Sequence, residues 1–189
     1  MQSRERLPPL AAGAMTAEQK KASDEFEATR GYPLLGPFSV MLRSPEVMLR
    51  AKALGDYLRF RNVLPGHVRE LVTLVTARQW TQQFEWSHHY EHALKAGLSR
   101  AVIEAVAEGR RPDDMAKDEA AAHDFSIELH RNKSVSDATY ARALELFGER
   151  GIIDLVGLNG YYSLLAMMMN VARTPPDYAD AKLLEPFPR

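Results

Sequence analysis

From Gly151 to Arg173 the chain runs GIIDLVGLNGYYSLLAMMMNVAR, which is apolar nearly all the way round a helix. A helix without a polar face has to be buried, either inside a fold or between subunits. No other stretch contradicts a helical reading. Nowhere do apolar and polar residues alternate with period two between turn signals, so the chain is expected to be all-α. At 189 residues it is long enough for one domain with a sizeable core.

Local signals set the expected helix boundaries. Thr16 stands three residues before Gln19, the spacing of a capping box, and a helix should follow as far as Gly31. Tyr32 to Ser44 carries two prolines and Gly36 among apolar residues, so it reads as an extended, packed connection able to cover a cavity. Ser44-Pro45-Glu46 combines a hydroxyl cap, a proline in the first turn and an acid, and starts a helix reaching Phe60. Its inward face is expected to be Val47, Leu49, Ala51, Leu54 and Leu58. Leu64-Pro65-Gly66 ends that unit, and a break is expected again near Thr81-Gln82-Gln83. Ser99 and Ser136 read as further N-caps, with Gly97 and Gly148 as stops. The expected organisation is an extended segment at 1–15, a helical domain at 16–176 and an extended tail at 177–189.

Composition removes several functions. A formal net charge of −1, with acids interspersed among the Lys and Arg, leaves no basic nucleic-acid footprint. The chain has no cysteine, so disulfides, thiolate metal sites and thiol redox chemistry by this chain are excluded. The N-terminus MQSRERLPPLAAG has no apolar signal core, and the apolar run Tyr161–Val171 falls short of the roughly 20 residues of a membrane span. The expectation is a cytoplasmic protein with neither a membrane nor a nucleic-acid partner.

Chemistry concentrates in Arg69–Gly97, RELVTLVTARQWTQQFEWSHHYEHALKAG. Glu70 opens an apolar run, which fits either an acid at a helix start or a buried acid with a raised pKa. Glu85 and His89 are four apart and share a helix face, as are His88 and His92. General acid–base work by His89, tuned by Glu85, fits this spacing. So do a solvated charged face and a zinc site at His88 and His92, although no HExxH order is present. Trp80, Trp86 and Met167–Met169 read first as packing. Asn159, Tyr161 and Tyr162 are polar groups on a buried-looking helix and need partners, structural or substrate.

The run TARQWTQQFEWSHHYEHALKAGLS resembles the signature of the carboxymuconolactone decarboxylase family, which also includes AhpD-type alkylhydroperoxidases. The pattern EW-x-x-H-x-x-x-A-x-x-x-G is met by Glu85, Trp86, His89, Ala93 and Gly97. The flanks GPFSVMLRSPE, RELVTLVTAR and GLNGYYSLLAMMMN agree, so the resemblance spans about Gly36 to Pro176. The peroxidase branch carries two redox cysteines where this chain has Gln82 and Glu85, whereas Glu70 and His89 fall on its glutamate and histidine. The resemblance therefore points to the decarboxylase branch.

It implies an AhpD-like helical bundle, assembled as a homo-oligomer (a trimer or hexamer) with sites near subunit interfaces. It also implies a lyase without cofactor or metal, acting on a carboxylated lactone such as 4-carboxymuconolactone in aromatic catabolism. His89 is the expected proton donor, Glu85 tunes it, and Glu70 is a relay or second acid. Arg43, Trp86 and Tyr161 are the expected substrate contacts, with Arg59, Arg61 and Arg78 as other candidate carboxylate forks. The alternative is a small-molecule-binding relative that keeps the scaffold without catalysis.

Overall fold

The computed structural model describes residues 4–176 and 183–186; the remaining residues of the expected C-terminal tail lie outside it. Among the described residues there are helices and no strands. They are a 3-10 turn at Ala12–Ala14, inside the segment expected to be extended, and α1 (Ala17–Arg30), α2 (Pro37–Met41), α3 (Pro45–Phe60), α4 (Gly66–Gln79), α5 (Gln83–Lys95), α6 (Arg100–Ala107), α7 (Lys117–Asn132) and α8 (Asp137–Ala172).

Most boundaries follow from local chemistry. Thr16 and Gln19 form the reciprocal capping box, and α1 ends on Gly31 in the left-handed region. Ser99 and Ser136 cap α6 and α8 through their hydroxyls. Gly148, at φ 65 and ψ 177, kinks α8 where the sequence stops one helix and starts another. Two expectations fail. The Tyr32–Ser44 connection contains the short buried helix α2, begun by Pro37 after Gly36, so it is not extended throughout. Ser44 makes no capping hydrogen bond, which leaves Pro45 and Glu46 to start α3.

The buried face of α3 is Met48, Ala51, Gly55 and Leu58, a clean three-and-four spacing. Val47 and Leu54, expected inside, are exposed. The helix at the centre is α4, where every residue from Leu71 to Arg78 is buried between α5, α7 and α8. By contrast α8 is two-sided. Leu155, Leu158, Tyr162, Leu165 and Met169 face the core, while Ile153, Val156, Met167 and Val171 are exposed. By length and composition α8 could cross a bilayer, unlike the shorter run read from sequence, but 56% of its most apolar window is buried in the protein. Buried Asp154, which accepts from the Tyr57 hydroxyl and the Val63 amide, ties α8 to the end of α3. Asn159 bonds Ser126 of α7, as a buried amide in a protein core must.

The described segments before α1 and after α8 are tied down. The Arg6 amide donates to the Ala172 carbonyl, and Arg43 reaches the Pro8 carbonyl at 2.7 Å. The Gln83 side chain holds both backbone groups of Leu184, at 2.8 Å each, and Leu184 is buried in the core between α4, α5 and α6. These contacts frame the start of α5, where the chemistry lies.

Candidate active site

The turn before α5 is built for Glu85. Thr81 adopts φ 45, and the Gln82 side chain caps the helix by accepting from the Glu85 amide at 2.9 Å. Gln82 is in turn held by Asn170 of α8 at 3.2 Å. Gly36 has φ 54, and a Cβ there would overlap the ring of Phe84, so glycine lets that ring lie against the backbone. Phe84 then stacks on His88 with ring centroids 5.8 Å apart.

Glu85, His88 and His89 of α5, Arg59 of α3 and Tyr161 and Tyr162 of α8 line one cavity of about 50 Å³. A single water needs on the order of 10–15 Å³ in this measure, so the space suits a small ligand group. Leu35, Phe38, Phe84, Leu165 and Met169 supply the apolar part of its wall.

Glu70 of α4 holds His89 from outside the cavity, with Nδ1 to Oε2 at 2.7 Å. The Tyr162 ring meets the imidazole edge-on at 5.1 Å. Burial pushes the His89 pKa down to about 4, even though Glu70 works against the shift. At neutral pH the ring is therefore uncharged, with its Nδ1–H donating to Glu70 and Nε2 left as a lone pair. Glu70 itself sits below the usual carboxylate range: its desolvation is outweighed by the field and hydrogen bond of His89 and the field of Arg59.

Glu85 differs. It is 2% exposed, and neither carboxyl oxygen has a hydrogen-bond partner. Burial alone raises its pKa well above the ordinary value. A carboxyl so placed favours its protonated form. The cavity thus joins a protonated acid to a neutral base one helical turn apart. Tyr161 and Tyr162 are likewise held protonated, chiefly by burial.

The sequence-expected residues divide accordingly. Glu85, His89 and Tyr161 meet at the cavity, with Glu70 behind His89. The expected tuning of His89 by Glu85 is replaced by Glu70, because only Glu70 bonds the ring. Arg43 is not in the cavity; its guanidinium is spent on the Ser39 and Pro8 carbonyls. Trp86 is fully buried in the other core cluster and cannot touch a ligand here. Arg59 takes the place expected for Arg43. His88, expected at the surface or an interface, lines the cavity. No group of three His, Asp or Glu able to hold a metal occurs among the described residues, so the His88–His92 pair gains no third ligand.

The fold is all-helical, and its cavity gathers acid, imidazole and phenol side chains with no thiol among them. Residues 45–123, the segment from α3 into α7 that carries Glu70, Glu85 and His89, match the model of the carboxymuconolactone decarboxylase family. The fold is similar to an AhpD-core, uncharacterized peroxidase-related protein from Ralstonia eutropha JMP134, at 17% identity and TM-score 0.74 over 92% of each chain. It is also similar to the debrominase Bmp8 in complex with 2,3,4-tribromopyrrole, at 13% identity and TM-score 0.72 over 95% of each chain. A protein of unknown function from Agrobacterium tumefaciens gives 15% identity and TM-score 0.61, over 73% of this chain and 95% of the other. No curated protein sequence matches significantly. At these identities the structures establish the fold, and the missing cysteines separate this site from thiol peroxidase chemistry.

Proposed function

We propose that the chain is a cofactor-independent carboxy-lyase acting on a carboxylated lactone, of the 4-carboxymuconolactone decarboxylase type used in aromatic catabolism. One observation carries the reading: Glu85 is a buried carboxyl without a partner in the same cavity as neutral His89. An acid and a base with pKa values driven apart are what proton transfer at neutral pH needs.

In such a substrate the bond from ring carbon to carboxylate breaks and CO2 leaves. The electron pair passes through the ring alkene into the lactone carbonyl, forming an enolate. The protonated phenols of Tyr161 and Tyr162 are donors for its oxygen. Glu85 gives its proton to carbon, since the enolate is far more basic than a carboxylate. His89, with Glu70 stabilising the transient imidazolium, takes a proton from solvent and returns it to Glu85. This reverses the roles read from sequence, where His89 was the donor; its Nδ1–H is committed to Glu70. A homo-oligomer remains part of the proposal, and the exposed Ile153, Val156, Met167 and Val171 of α8 give it an apolar surface.

The test is CO2 release from a panel of carboxylated lactones, 4-carboxymuconolactone first. Wild type turns over, whereas Glu85→Gln and His89→Ala fall by about 10²–10⁴-fold while still melting cooperatively. No turnover by wild type across the panel overturns the lyase and favours the binding relative.

A further inference from the structure

We propose that Arg59 is the anion anchor of this cavity, and that the carboxylate it holds is one the ligand keeps. The first half rests on geometry alone, and the second on the lyase reading above.

Arg59 lines the cavity from α3, one turn after Gly55. Among the described residues its guanidinium has no ion pair and no hydrogen bond; its packing partner is the exposed ring of Phe60, 5.4 Å away. Nearby arginines are already used. Arg43 binds two carbonyls, Arg30 pairs with Asp56 at 2.6 Å, and Arg69 reaches the Leu64 carbonyl. Glu70, the acid whose field Arg59 feels, has given an oxygen to His89. A half-buried guanidinium whose five donors meet no protein acceptor is open to one that a ligand supplies. A carboxylate matches its fork with two parallel hydrogen bonds.

Arg59 is the one arginine or lysine lining this cavity among the described residues. Glu85 accommodates an acceptor only as a neutral donor, and a ligand carboxylate pressed against Leu165 and Met169 would gain no partner. Decarboxylation moves charge out of the departing carboxylate. A guanidinium fixed on that group would stabilise the ground state more than the transition state and slow the reaction. Arg59 therefore speeds turnover only if it grips a different carboxylate, leaving the departing one in the apolar part of the wall. The ligand class is a small ring bearing an acidic side arm for Arg59 and a carbonyl for Glu85 and the phenols.

The probe is muconolactone, a butenolide with one acetate arm and no carboxylate on the ring, together with its methyl ester. Calorimetric titration reads binding without turnover, so failure of the lyase assay and failure of this test are separate outcomes. Wild type is expected to bind the acid at least about tenfold more tightly than the ester, equivalent to about 1.4 kcal/mol. Arg59→Met should remove that preference, Arg59→Lys should restore part of it, and Arg43→Met should leave it intact. A purely structural Arg59 would lower the melting temperature of Arg59→Met yet keep the acid-over-ester preference. That result, or a wild type that binds neither compound or both equally, overturns the anchor. If Arg59→Met does not fold, Arg59→Gln is read by the same criterion.

Discussion

Glu70, 19 residues before His89 in the chain, holds its imidazole with a 2.7 Å hydrogen bond, while Glu85, one helical turn away, leaves it alone. The acid on the same helix stays unpaired because an acid from another helix holds the ring.

Glu70 acts on His89 in a way that titration can read. Its carboxylate raises the His89 pKa against a stronger desolvation effect. Glu70→Gln should therefore move His89 still further below about 4, seen as loss of its low-pH imidazole titration by NMR. An upward shift would contradict the pairing. Turnover should fall by about 10-fold to 100-fold, as for lost second partners of working imidazoles.

Stability should carry opposite pH signatures from the two cavity groups. His89 is depressed in the folded chain, so its contribution is full above the ordinary 6.5 and is lost as pH falls through about 4. Glu85 is raised, so its contribution is full below 4.5 and is lost as pH climbs through the raised value. Glu85→Gln is neutral at every pH and removes the second loss. Its melting temperature relative to wild type should rise between pH 5 and pH 9, by about 2–4 °C for each kcal/mol recovered. A constant difference would mean that Glu85 is ionised without strain in the fold.

Gly55 is a packing requirement of the site. A Cβ there would overlap the Tyr161 hydroxyl, and Arg59 lies one turn further on. Gly55→Ala should cost about 1–3 kcal/mol in urea unfolding, since overpacking outweighs its better helix propensity. Unchanged or increased stability would show that Tyr161 has another place to go.

Gln83 imitates a neighbouring strand by bonding both backbone groups of Leu184. Gln83→Ala leaves those groups unpaired and should lose about 1–3 kcal/mol. Limited proteolysis should then cleave the C-terminal segment faster than in wild type. Equal cleavage would mean that the burial of Leu184 alone holds it.

What sequence revealed was mostly local. The Thr16 box, the Ser99 and Ser136 caps and the Gly31 and Gly148 stops depend on residues within a turn of each other. The inward face of α3 was misread because Val47 and Leu54 also stand at three-and-four spacing from Ala51 and Leu58, yet lie on the stripe beside the buried Met48 and Gly55. Arg43 and Arg59 looked alike as residues, and only tertiary contacts decide that one holds the chain end and the other lines a cavity. The central role fell to α4, whose threonines and arginine hid its burial, and not to the more apolar α8. Glu85 and His89 were legible as a pair through spacing and family pattern, and Tyr161 only as a polar group on a buried-looking helix. The isolation of Glu85 was not, because an i,i+4 neighbour predicts a pairing that Glu70 had already taken.

The central claim is that Glu85 stays protonated beside a neutral His89 at neutral pH. Carboxyl-carbon NMR of protein labelled in its glutamate side chains, titrated across pH and compared with Glu85→Gln, tests it most directly. The account predicts one glutamate resonance that titrates well above all the others and vanishes in the variant. Glutamates that all titrate at or below the ordinary carboxylate range, with nothing lost in Glu85→Gln, would contradict it.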